Sequence, residues 1–475
     1  MAYRTGNRNQ MCLLPQSIEE YVAPDAPVRV YDAFIDALFP ELGIEINPHK
    51  VGNSNYHPKA MLKLLVYGYS YGVRSSRKLE QEIHNNLTFI WLMGGLNPDF
   101  KTIAEFRRTH KEMLTDVLKN CARLCIKLNL IAGNVLFVDG SKIRANAGRD
   151  ATHNKSWYEE QLKTIDARIE QLLDECEAQD KQEEGLGSFV KTAKDLGSAE
   201  KRKQKIENAL KEIDATGKNK VNATDPECAI MRSIQGSHAS YNAQMVVDDK
   251  HRLIVHAEPV SDPNDRNQFA RQIDQANKIL ATPCEAVCAD AGYADTDELE
   301  KIDGQGIKVI VPSQRQAQRE EEGLFSKSHF TYDQEHDCYY CPGGNRLTFR
   351  SLYRKNGKRT YKIERSSICR SCSNFGQCTR SKEGRKVVRL KNEEVKQRLE
   401  AQYAEPASQE IYKKRKTAAE HPFGHLKRNL KVTSFLLRGL AGVRAELSIL
   451  ATCFNLTRII NILGAAQLMP ILKTI

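Results

Sequence analysis

The chain has little tryptophan, an odd number of cysteines and no uninterrupted apolar run of membrane-spanning length. Of its 475 residues, 2 are tryptophan and 13 are cysteine. The longest apolar stretches near the C-terminus, 447–457 and 459–472, fall short of the roughly 18 to 20 residues that span a bilayer. They therefore predict core helices and no membrane partner.

The N-terminus also lacks the pattern of a secretory signal. The first ten residues are polar, and no apolar run ending in a small-residue cleavage site follows. A cytoplasmic protein is therefore expected. An odd cysteine count in a large chain favours reduced thiols or metal ligation over a disulfide framework.

Acidic residues are scarce in one basic segment. Between Cys341 and Lys391 there are fifteen Lys or Arg and only two acids, Glu364 and Glu383, a balance of 15 − 2 = +13. The whole chain carries +11, so the rest sums to 11 − 13 = −2. Clustered cations predict a polyanionic partner, because phosphate contacts need them. A merely soluble basic surface is the alternative.

Apolar spacing predicts a helical N-terminal region followed by an α/β region. Helical periodicity covers roughly the first 130 residues, and Arg74, Arg77 and Lys78 at the start of its third helix suit either phosphate contact or a solvated helix face. The pattern then changes to short β-branched runs that predict strands ending at Asp139 and Asp290. Between them, residues 157–214 predict two antiparallel helices with coiled-coil-like spacing.

Asp139 and Asp290 share a setting, because each follows a short apolar strand and precedes a glycine. Carboxylates at such strand ends commonly form sites in α/β folds. Two of them close together need a cation, and their hard oxygen atoms suit Mg²⁺ or Mn²⁺. The alternative is that each aspartate only caps a turn.

Glu420 is the third candidate acid and is surrounded by cations. Lys416 precedes it by four residues and Lys427 follows it by seven, so a helix would present all three on one face. Such a face would coordinate a metal ion and hold phosphates. A plain ion pair between Lys416 and Glu420 is the alternative.

Three blocks of the chain resemble the catalytic blocks of bacterial insertion-sequence transposases of the DDE type. The blocks are Val138-Asp139-Gly140 with Asn146 downstream, Ala289-Asp290-Ala291-Gly292-Tyr293, and the segment from Tyr412 through Glu420 to Lys427. The third block is similar to the group with a Tyr-Arg-Glu-Lys signature. The resemblance covers essentially the whole chain, with the blocks in the expected order.

The resemblance implies an α/β fold with an RNase H-like mixed-sheet catalytic core. It implies a helical N-terminal DNA-binding or assembly domain at 1–131 and a catalytic domain at 132–463. A coiled-coil-like helical hairpin at 155–220 and a basic, Cys-rich, zinc-ribbon-like segment at 320–400 are expected as insertions into the catalytic domain. Residues 464–475 are expected to form a C-terminal tail.

The resemblance also implies the chemistry. Asp139, Asp290 and Glu420 would be the catalytic acids that hold two Mg²⁺ or Mn²⁺ ions. The partner would be double-stranded DNA, both the terminal inverted repeats of a transposon and its target. DNA is cut at the transposon ends, and the freed 3′-OH is joined to the target. A homodimer on DNA is expected, since two ends must be brought together.

DNA contacts are implied for the tyrosines and cations of the same blocks: Tyr293, Tyr412, Arg415, Lys416 and Lys427. One departure concerns the signature arginine, because the signature places three residues between Arg and Glu. Four residues separate Arg415 from Glu420, and Lys416 has the signature spacing instead. Either cation could therefore fill this position.

Five cysteines show the spacing of a zinc module. Cys338-x₂-Cys341 and Cys369-x₂-Cys372 are followed by Cys378. The family pattern matches Cys341, Cys369, Cys372 and Cys378, with Cys338 as the alternative ligand, and it implies a structural Zn²⁺. Reduced cysteines without a metal are the competing interpretation.

Two other functions fit the same residues. The first is a stand-alone metal-dependent nuclease on an RNase H-like core, which would cut DNA without joining it. The second is a catalytically inert, zinc-containing DNA-binding protein. Strand transfer distinguishes the first from a transposase, and loss of cutting in Asp139→Asn distinguishes the second.

Overall fold

The computed structural model describes residues 17–44, 55–180, 186–233, 236–317, 325–354 and 357–474. Residue 1, where the predicted N-terminal domain begins, and residue 320, where the predicted Cys-rich insertion begins, lie outside these ranges. The chain divides into two compact units. The first contains Met1–Asn264, Asp274–Pro283 and Lys416–Ile475, and the second contains Asp265–Ile273 and Cys284–Arg415. The predicted mixed α/β class is confirmed.

The described residues form sixteen α-helices, thirteen strands and a few short 3₁₀ turns. The helices are α1 Pro27–Leu38, α2 Pro58–Ser70, α3 Ser76–Asn85, α4 Leu87–Leu92, α5 Phe100–Thr109, α6 Lys111–Lys127, α7 Lys155–Asp180, α8 Leu186–Thr216, α9 Phe269–Leu280, α10 Thr296–Asp303, α11 Gln314–Ala317, α12 Ser366–Arg370, α13 Glu393–Ala404, α14 Pro406–Arg428, α15 Gly439–Leu463 and α16 Ala465–Thr474. The strands are β1 Val135–Arg144, β2 Thr152–Asn154, β3 Lys220–Asn222, β4 Ala229–Ser233, β5 Gly236–Asp248, β6 Ile254–Val260, β7 Ala286–Cys288, β8 Lys308–Ile310, β9 Thr331–Asp333, β10 Cys338–Tyr340, β11 Arg346–Tyr353, β12 Lys358–Ile363 and β13 Lys386–Arg389.

An antiparallel sheet forms the centre of the first unit. The long strand β5 pairs with β1 along one edge and with β4 and then β6 along the other. Buried apolar residues such as Phe137 and Val246 fill this sheet. Strands β5 and β6 form a hairpin, with Ala243 opposite Pro259.

Helix α15 is the core helix of the first unit. It packs against α2, α6 and β6, and the Asn455 side chain joins it to β6 by hydrogen bonds to Ile254 N and O at 2.8 and 2.9 Å. By length and composition this helix could cross a membrane, with a mean hydropathy of 1.3, but 67% of that window is buried inside the protein. Its apolar surface is therefore explained by core packing. The N-terminal helices predicted as a separate domain belong to the same unit as the sheet.

The C-terminal residues form a helix, so the prediction of a tail at 464–475 is wrong. Helix α16 packs against α1 and buries Leu468 and Leu472. These two leucines are four residues apart and therefore share one helix face. Burial of that face holds the segment in place.

Two long helices lie where the charged, heptad-like pattern predicts them. Helices α7 and α8 pack on each other, and their shared core contains Ile165 and Ile206. An ion pair at 2.7 Å joins Asp166 to Lys203, and the pair is antiparallel because Lys155, at the start of α7, meets Asp214 near the end of α8.

The second unit contains the parallel strand pair β7 and β8 and a separate sheet made by the Cys-rich segment. This sheet has the order β13-β12-β11-β10-β9, and its pairs are antiparallel. Its core buries Tyr339, Leu347 and Tyr361. The basic segment is therefore a folded module with its own apolar core.

A buried ion pair joins the N-terminal helices of the first unit to α15. The Arg74 guanidinium donates to the Glu446 carboxylate, and Arg107 donates to the Arg74 carbonyl at 2.9 Å. Only 7% of Arg74 and 1% of Glu446 are exposed. Burial therefore excludes both alternatives left open for Arg74, the phosphate contact and the solvated helix face, because its charge is used inside the fold.

Replacing Glu446 with glutamine is expected to destabilise the protein strongly. The substitution leaves the Arg74 charge buried without a counter-ion, which typically costs about 3–5 kcal/mol. Urea unfolding followed by circular dichroism measures the loss. Glu105→Gln is the control, because Glu105 makes an exposed pair with Arg108 and its loss should cost about 1 kcal/mol or less. Equal stability of the two variants would contradict this interpretation.

Candidate active site

Asp139 lies in the middle of strand β1. The strand pairs with β5 from Leu136 to Arg144, so the predicted strand end at Asp139 is wrong. Backbone pairing with β5 continues through Gly140 and outweighs the turn tendency of the Asp-Gly pair. The Gly140 N–H donates to Asp139 Oδ1 at 3.0 Å, and the Asp139 side chain is half-buried.

Lys427 reaches β1 from helix α14. Its ammonium donates to Ser141 Oγ at 2.6 Å, two residues along the strand from Asp139. Partial burial lowers the pKa of Lys427, and the negative charge of Asp139 opposes this shift. The structure therefore brings Asp139 and Lys427 together, as an acid and a cation of one site.

Hydrogen bonds connect the end of β1 to the segment that follows α14. The Phe435 N–H donates to the Arg144 carbonyl at 2.9 Å. The Asn146 side chain donates to the Leu436 carbonyl at 2.7 Å, and Arg438 Nε donates to the Asn146 carbonyl at 2.9 Å. The strand that carries the acid and the chain beyond α14 are therefore fixed to each other.

Glu420 lies on the exposed face of α14. Ala419, Phe423 and Leu426 are buried and form the inner face of the helix, whereas Glu420 and Lys416 are exposed. Lys416 and Glu420 are four residues apart and therefore share the exposed face. Lys427, four residues after the buried Phe423, lies at the border of this face and reaches Ser141 of β1. The predicted grouping of both charge signs on one helix face agrees with this arrangement.

Asp290 follows strand β7 and caps a short 3₁₀ turn. Its Oδ1 accepts a hydrogen bond from the Gly292 N–H at 2.8 Å. A side chain at Gly292 would meet this oxygen, because a Cβ there would lie 2.8 Å from Asp290 Oδ1 and 3.7 Å from Asp265 Oδ2. Asp265 is thus an acid beside Asp290 that the sequence analysis missed. Asp265 is far from Asp290 in the sequence, so no helix or strand periodicity relates the two residues.

Tyr412 and Arg415 lie together on the part of α14 that belongs to the second unit. The Arg415 guanidinium is 5.7 Å from the centre of the Tyr412 ring. Burial raises the pKa of Cys288 to about 12, and Arg415 and Asp290 then act on it in opposite directions. Arg415 therefore lies within electrostatic reach of the end of β7, where Asp290 begins its turn.

Tyr293 is a core residue, so its prediction as a DNA contact is wrong. The side chain is fully buried, and its ring centre lies 6.2 Å from that of Phe269. The turn capped by Asp290 directs this ring into the protein. A buried ring of this kind supports the turn and cannot touch a DNA strand.

The candidate acids are divided between the two units. Asp139 and Glu420 belong to the first, and Asp290 belongs to the second. In the parts of the chain that the structure describes, no group of three or more His, Cys, Asp or Glu side chains is arranged to hold a metal ion. The donor chemistry of the three carboxylates nevertheless fits a hard divalent cation.

Four cysteines of the second unit line one small pocket of about 20 Å³: Cys341, Cys369, Cys372 and Cys378. Burial raises the pKa of Cys378, Arg385 lowers it, and the other three thiols raise it further. The Arg385 N–H donates to Cys369 Sγ at 3.5 Å. The four cysteines that match the family pattern therefore line the same pocket. Among the described residues, their thiols are not arranged to hold a metal ion.

Cys338 lies apart from this pocket. Side chains alternate along a strand, and the neighbouring Tyr339 points into the core of the sheet with Leu347. Cys338 therefore points to the other face, where its thiol interacts with Arg346. This position does not favour Cys338 as a substitute ligand.

The outward face of the Cys-rich sheet is basic and carries exposed aromatic rings. Tyr361 and Ile363 point into the core, so alternate residues of β12 point outward. The outward cations are Lys358, Lys362, Lys386 and Arg346, and the exposed rings beside them are Tyr340 and Tyr353. Glu383 pairs with Lys362 and Lys386, which neutralises part of this charge.

Comparison with known proteins gives two family matches. Residues 340–460 match a family described as "Transposase DDE domain", and residues 16–109 match "Transposase domain (DUF772)". No curated protein matches the chain. Among solved structures, the chain is similar to the piggyBac transposase in a synaptic complex with hairpin DNA, at 10% identity, with 94% of this chain and 79% of that chain covered and a TM-score of 0.35. That likeness is too low to support an argument.

Two transposase families thus match separate parts of one chain, the first over N-terminal helices and the second over a segment that includes Glu420. The chain is a transposase. The two matches together support a DDE transposase of the insertion-sequence type.

Gly292→Ala is expected to lower DNA cutting about 100-fold while leaving the fold intact. The new Cβ would displace the Asp290 carboxylate, and a displacement of about 1 Å in a site can have an effect of this size. Cutting of DNA that carries the element's own ends measures the loss. Gly148→Ala is the control, because a Cβ there meets nothing within 4 Å. Full activity of Gly292→Ala would show that the position of Asp290 is unimportant.

Proposed function

We propose that this DDE transposase cuts DNA at the ends of its transposon and joins the freed ends to target DNA, with Asp139, Asp290 and Glu420 as its catalytic acids. The observation that supports the proposal most directly is the placement of Asp139 beside the Lys427 ammonium. Phosphoryl transfer requires a carboxylate that binds a metal ion and, close to it, a cation that binds the phosphate.

The first step hydrolyses one phosphodiester, and the second exchanges one phosphodiester for another. In the first, a water oxygen attacks the phosphorus at the transposon end, the bond to the 3′-oxygen breaks, and that oxygen leaves as a 3′-OH. In the second, this hydroxyl attacks a phosphorus of the target, and the target's own 3′-oxygen leaves with the proton. The net result is a transferred strand, and no oxidant or covalent protein link is needed.

The three carboxylates would hold two Mg²⁺ or Mn²⁺ ions, which suit oxygen ligands. When bound, such ions lower the pKa of water and stabilise the leaving oxygen. Lys427 and Lys416 would contact phosphates from the outer face of α14. Tyr412 and Arg415, paired as ring and guanidinium, would support the transposon-end strand, so both candidates for the signature cation remain in the site.

The DNA partner would be double-stranded, comprising the terminal inverted repeats and the target. The basic outward face of the Cys-rich sheet supports this proposal, because its lysines and arginine offer phosphate contacts. A homodimer would hold two ends together for joining, and the enzyme would act in the cytoplasm. The RNase H-like core and the two insertions belong to the same proposal.

A structural Zn²⁺ held by Cys341, Cys369, Cys372 and Cys378 would stabilise the Cys-rich module. Four thiolates are the usual ligands of a structural zinc. The shared pocket of these residues supports the proposal. A bound zinc would hold the ends of β10 and β11 against α12, since Cys341 follows β10 and Cys369 lies in α12.

Asp139→Asn, Asp290→Asn and Glu420→Gln are each expected to abolish Mg²⁺-dependent cutting while DNA binding is retained. Each change removes a charged metal ligand and keeps the side-chain shape. Purified protein is incubated with Mg²⁺ and DNA that carries the inverted repeats flanking its own gene, and nicked products are counted. Glu410→Gln is the control, because Glu410 makes only an exposed ion pair with Lys413 on the same helix.

The same assay with pre-cleaved ends distinguishes the possible enzymes. Joined product is expected of a transposase, whereas cutting without joining would identify a stand-alone nuclease. Undiminished cutting by all three acid variants would refute the assignment of these residues.

Zinc content is expected to depend on the four pocket cysteines and not on Cys338. Atomic emission of the purified protein should find about one zinc per chain. Cys369→Ser and Cys372→Ser should lose it, because each removes a thiolate ligand. Cys338→Ser is the matched control and should keep its zinc. Retention of zinc in the first two variants, or its loss only in the control, would contradict the proposed ligand set.

A further inference from the structure

A pocket of about 250 Å³ lies between α14 and α15 in the first unit. Its polar lining comes from His421, His425, Asn429, Thr457, Arg458 and Asn461, and Phe454 closes its apolar side. Both imidazole rings pack edge-on against Phe454, with ring centres 5.4 Å away. The two histidines are therefore held in fixed positions around one space.

The pocket is positively charged, and among its described lining residues none is acidic. Burial lowers the pKa of Arg458, and the nearby Arg252 lowers it further. Guanidiniums inside proteins are usually paired with carboxylates. Here Arg458 donates its Nε–H to the His251 carbonyl, and the described lining residues offer no carboxylate as a counter-charge.

One nitrogen of this pocket has no hydrogen-bond partner. Asn429 Nδ2 lies 3.1 Å from His425 Nδ1, so an amide donating to Nδ1 places the imidazole proton on Nε2. His425 Nε2 is buried and has no hydrogen-bond partner. Because an unpaired buried donor is costly, this nitrogen is suited to an acceptor that enters the pocket.

The His421 and His425 pair has the four-residue spacing of a helical metal site. Two neighbouring guanidiniums make a cation unfavourable here, since like charges repel at this range. An oxyanion would satisfy both the charge and the donors. A phosphodiester provides one negative charge and two acceptor oxygens, and arginine binds such groups well.

We propose that this pocket binds a backbone phosphate of the DNA on which the transposase acts. The inference rests on the proposed function, because it takes DNA as the source of the phosphate. His421 follows Glu420 directly and is rotated about 100° around the helix, so the pocket lies on a different face of α14 from the catalytic acid. It is a DNA-positioning site separate from the proposed metal site.

The test compares two pocket variants with wild type in binding a fluorescein-labelled DNA duplex at several salt concentrations. Arg458→Gln removes one cation, and the slope of log affinity against log salt should fall by about 1. Asn461→Asp places a carboxylate in the pocket. It should weaken DNA binding and raise the Tm of the DNA-free protein, because it supplies the missing counter-charge. If Asn461 served only to stabilise the fold, Asn461→Asp would not weaken DNA binding while raising the Tm of the DNA-free protein.

Lys119→Gln is the control, because it removes the same charge from an exposed position on α6 and should leave the salt slope nearly unchanged. Inorganic phosphate should raise the Tm of wild type and not that of Asn461→Asp, with chloride at equal ionic strength as the reference. Stabilisation by phosphate with unchanged DNA affinity in both variants would show a site for a free anion, which overturns the proposal.

Equal DNA affinity and equal salt slopes in all proteins would overturn it as well. These binding readouts are independent of catalysis. If wild type binds DNA but neither cuts nor joins it, the proposed function fails while the pocket is still tested.

Discussion

The geometry of the first unit depends on the hydrogen-bonded connection between strand β1 and the segment that follows helix α14. Asp139 lies on that strand, and Lys427 lies near the end of that helix. The segment itself is fixed by Glu446, whose carboxylate accepts the Leu436 and Leu437 N–H groups at 2.8 and 3.0 Å. Since Glu446 is buried, this arrangement is stable only because Arg74 neutralises it. An ion pair far from any DNA contact thus determines where an acid and a lysine meet.

The cations of this chain serve different purposes according to their surroundings. Arg74 and Arg107 are buried and used in folding. The lysines on the Cys-rich sheet are exposed and partly balanced by Glu383. Lys427 stands beside one acid, and Arg458 stands beside another cation. Among the cations that are not used in folding, Lys427 and Arg458 combine partial burial with specific contacts, and desolvation strengthens an interaction with phosphate. A net charge of +11 therefore says less about DNA recognition than the position of a few side chains.

Much of the fold could be predicted because its signals are local. The apolar spacing of α7 and α8, and the hairpin of β5 and β6, lie within short stretches of chain. The errors arose where distant partners decide. Asp139 is not at a strand end because β1 continues to pair with β5 beyond it. Arg74 is buried because it pairs with Glu446, which lies far from it in the sequence. The terminal helix α16 is ordered because α1 covers its two leucines.

The candidate site was predictable to a similar extent. The three acids and the cations around Glu420 were found from short blocks that resemble a family. Tyr293 was misassigned because a block does not reveal which way a ring points, and its neighbour Phe269 decides that. Asp265 was missed since only a turn geometry brings it near Asp290. The pocket at His421 and Arg458 is formed where α14 and α15 meet, so no pattern within one short stretch of sequence could predict it.

The central claim, that Asp139, Asp290 and Glu420 hold the same metal ions, can be tested by replacing Mg²⁺ with Fe²⁺ in the DNA-bound protein and adding ascorbate. Hydroxyl radicals formed at the bound iron cut the nearest polypeptide backbone, and mass spectrometry maps the cuts. The account predicts cuts close to all three acids, suppressed together by excess Mg²⁺. Cuts near one acid only, or at sites unrelated to any of them, would contradict it.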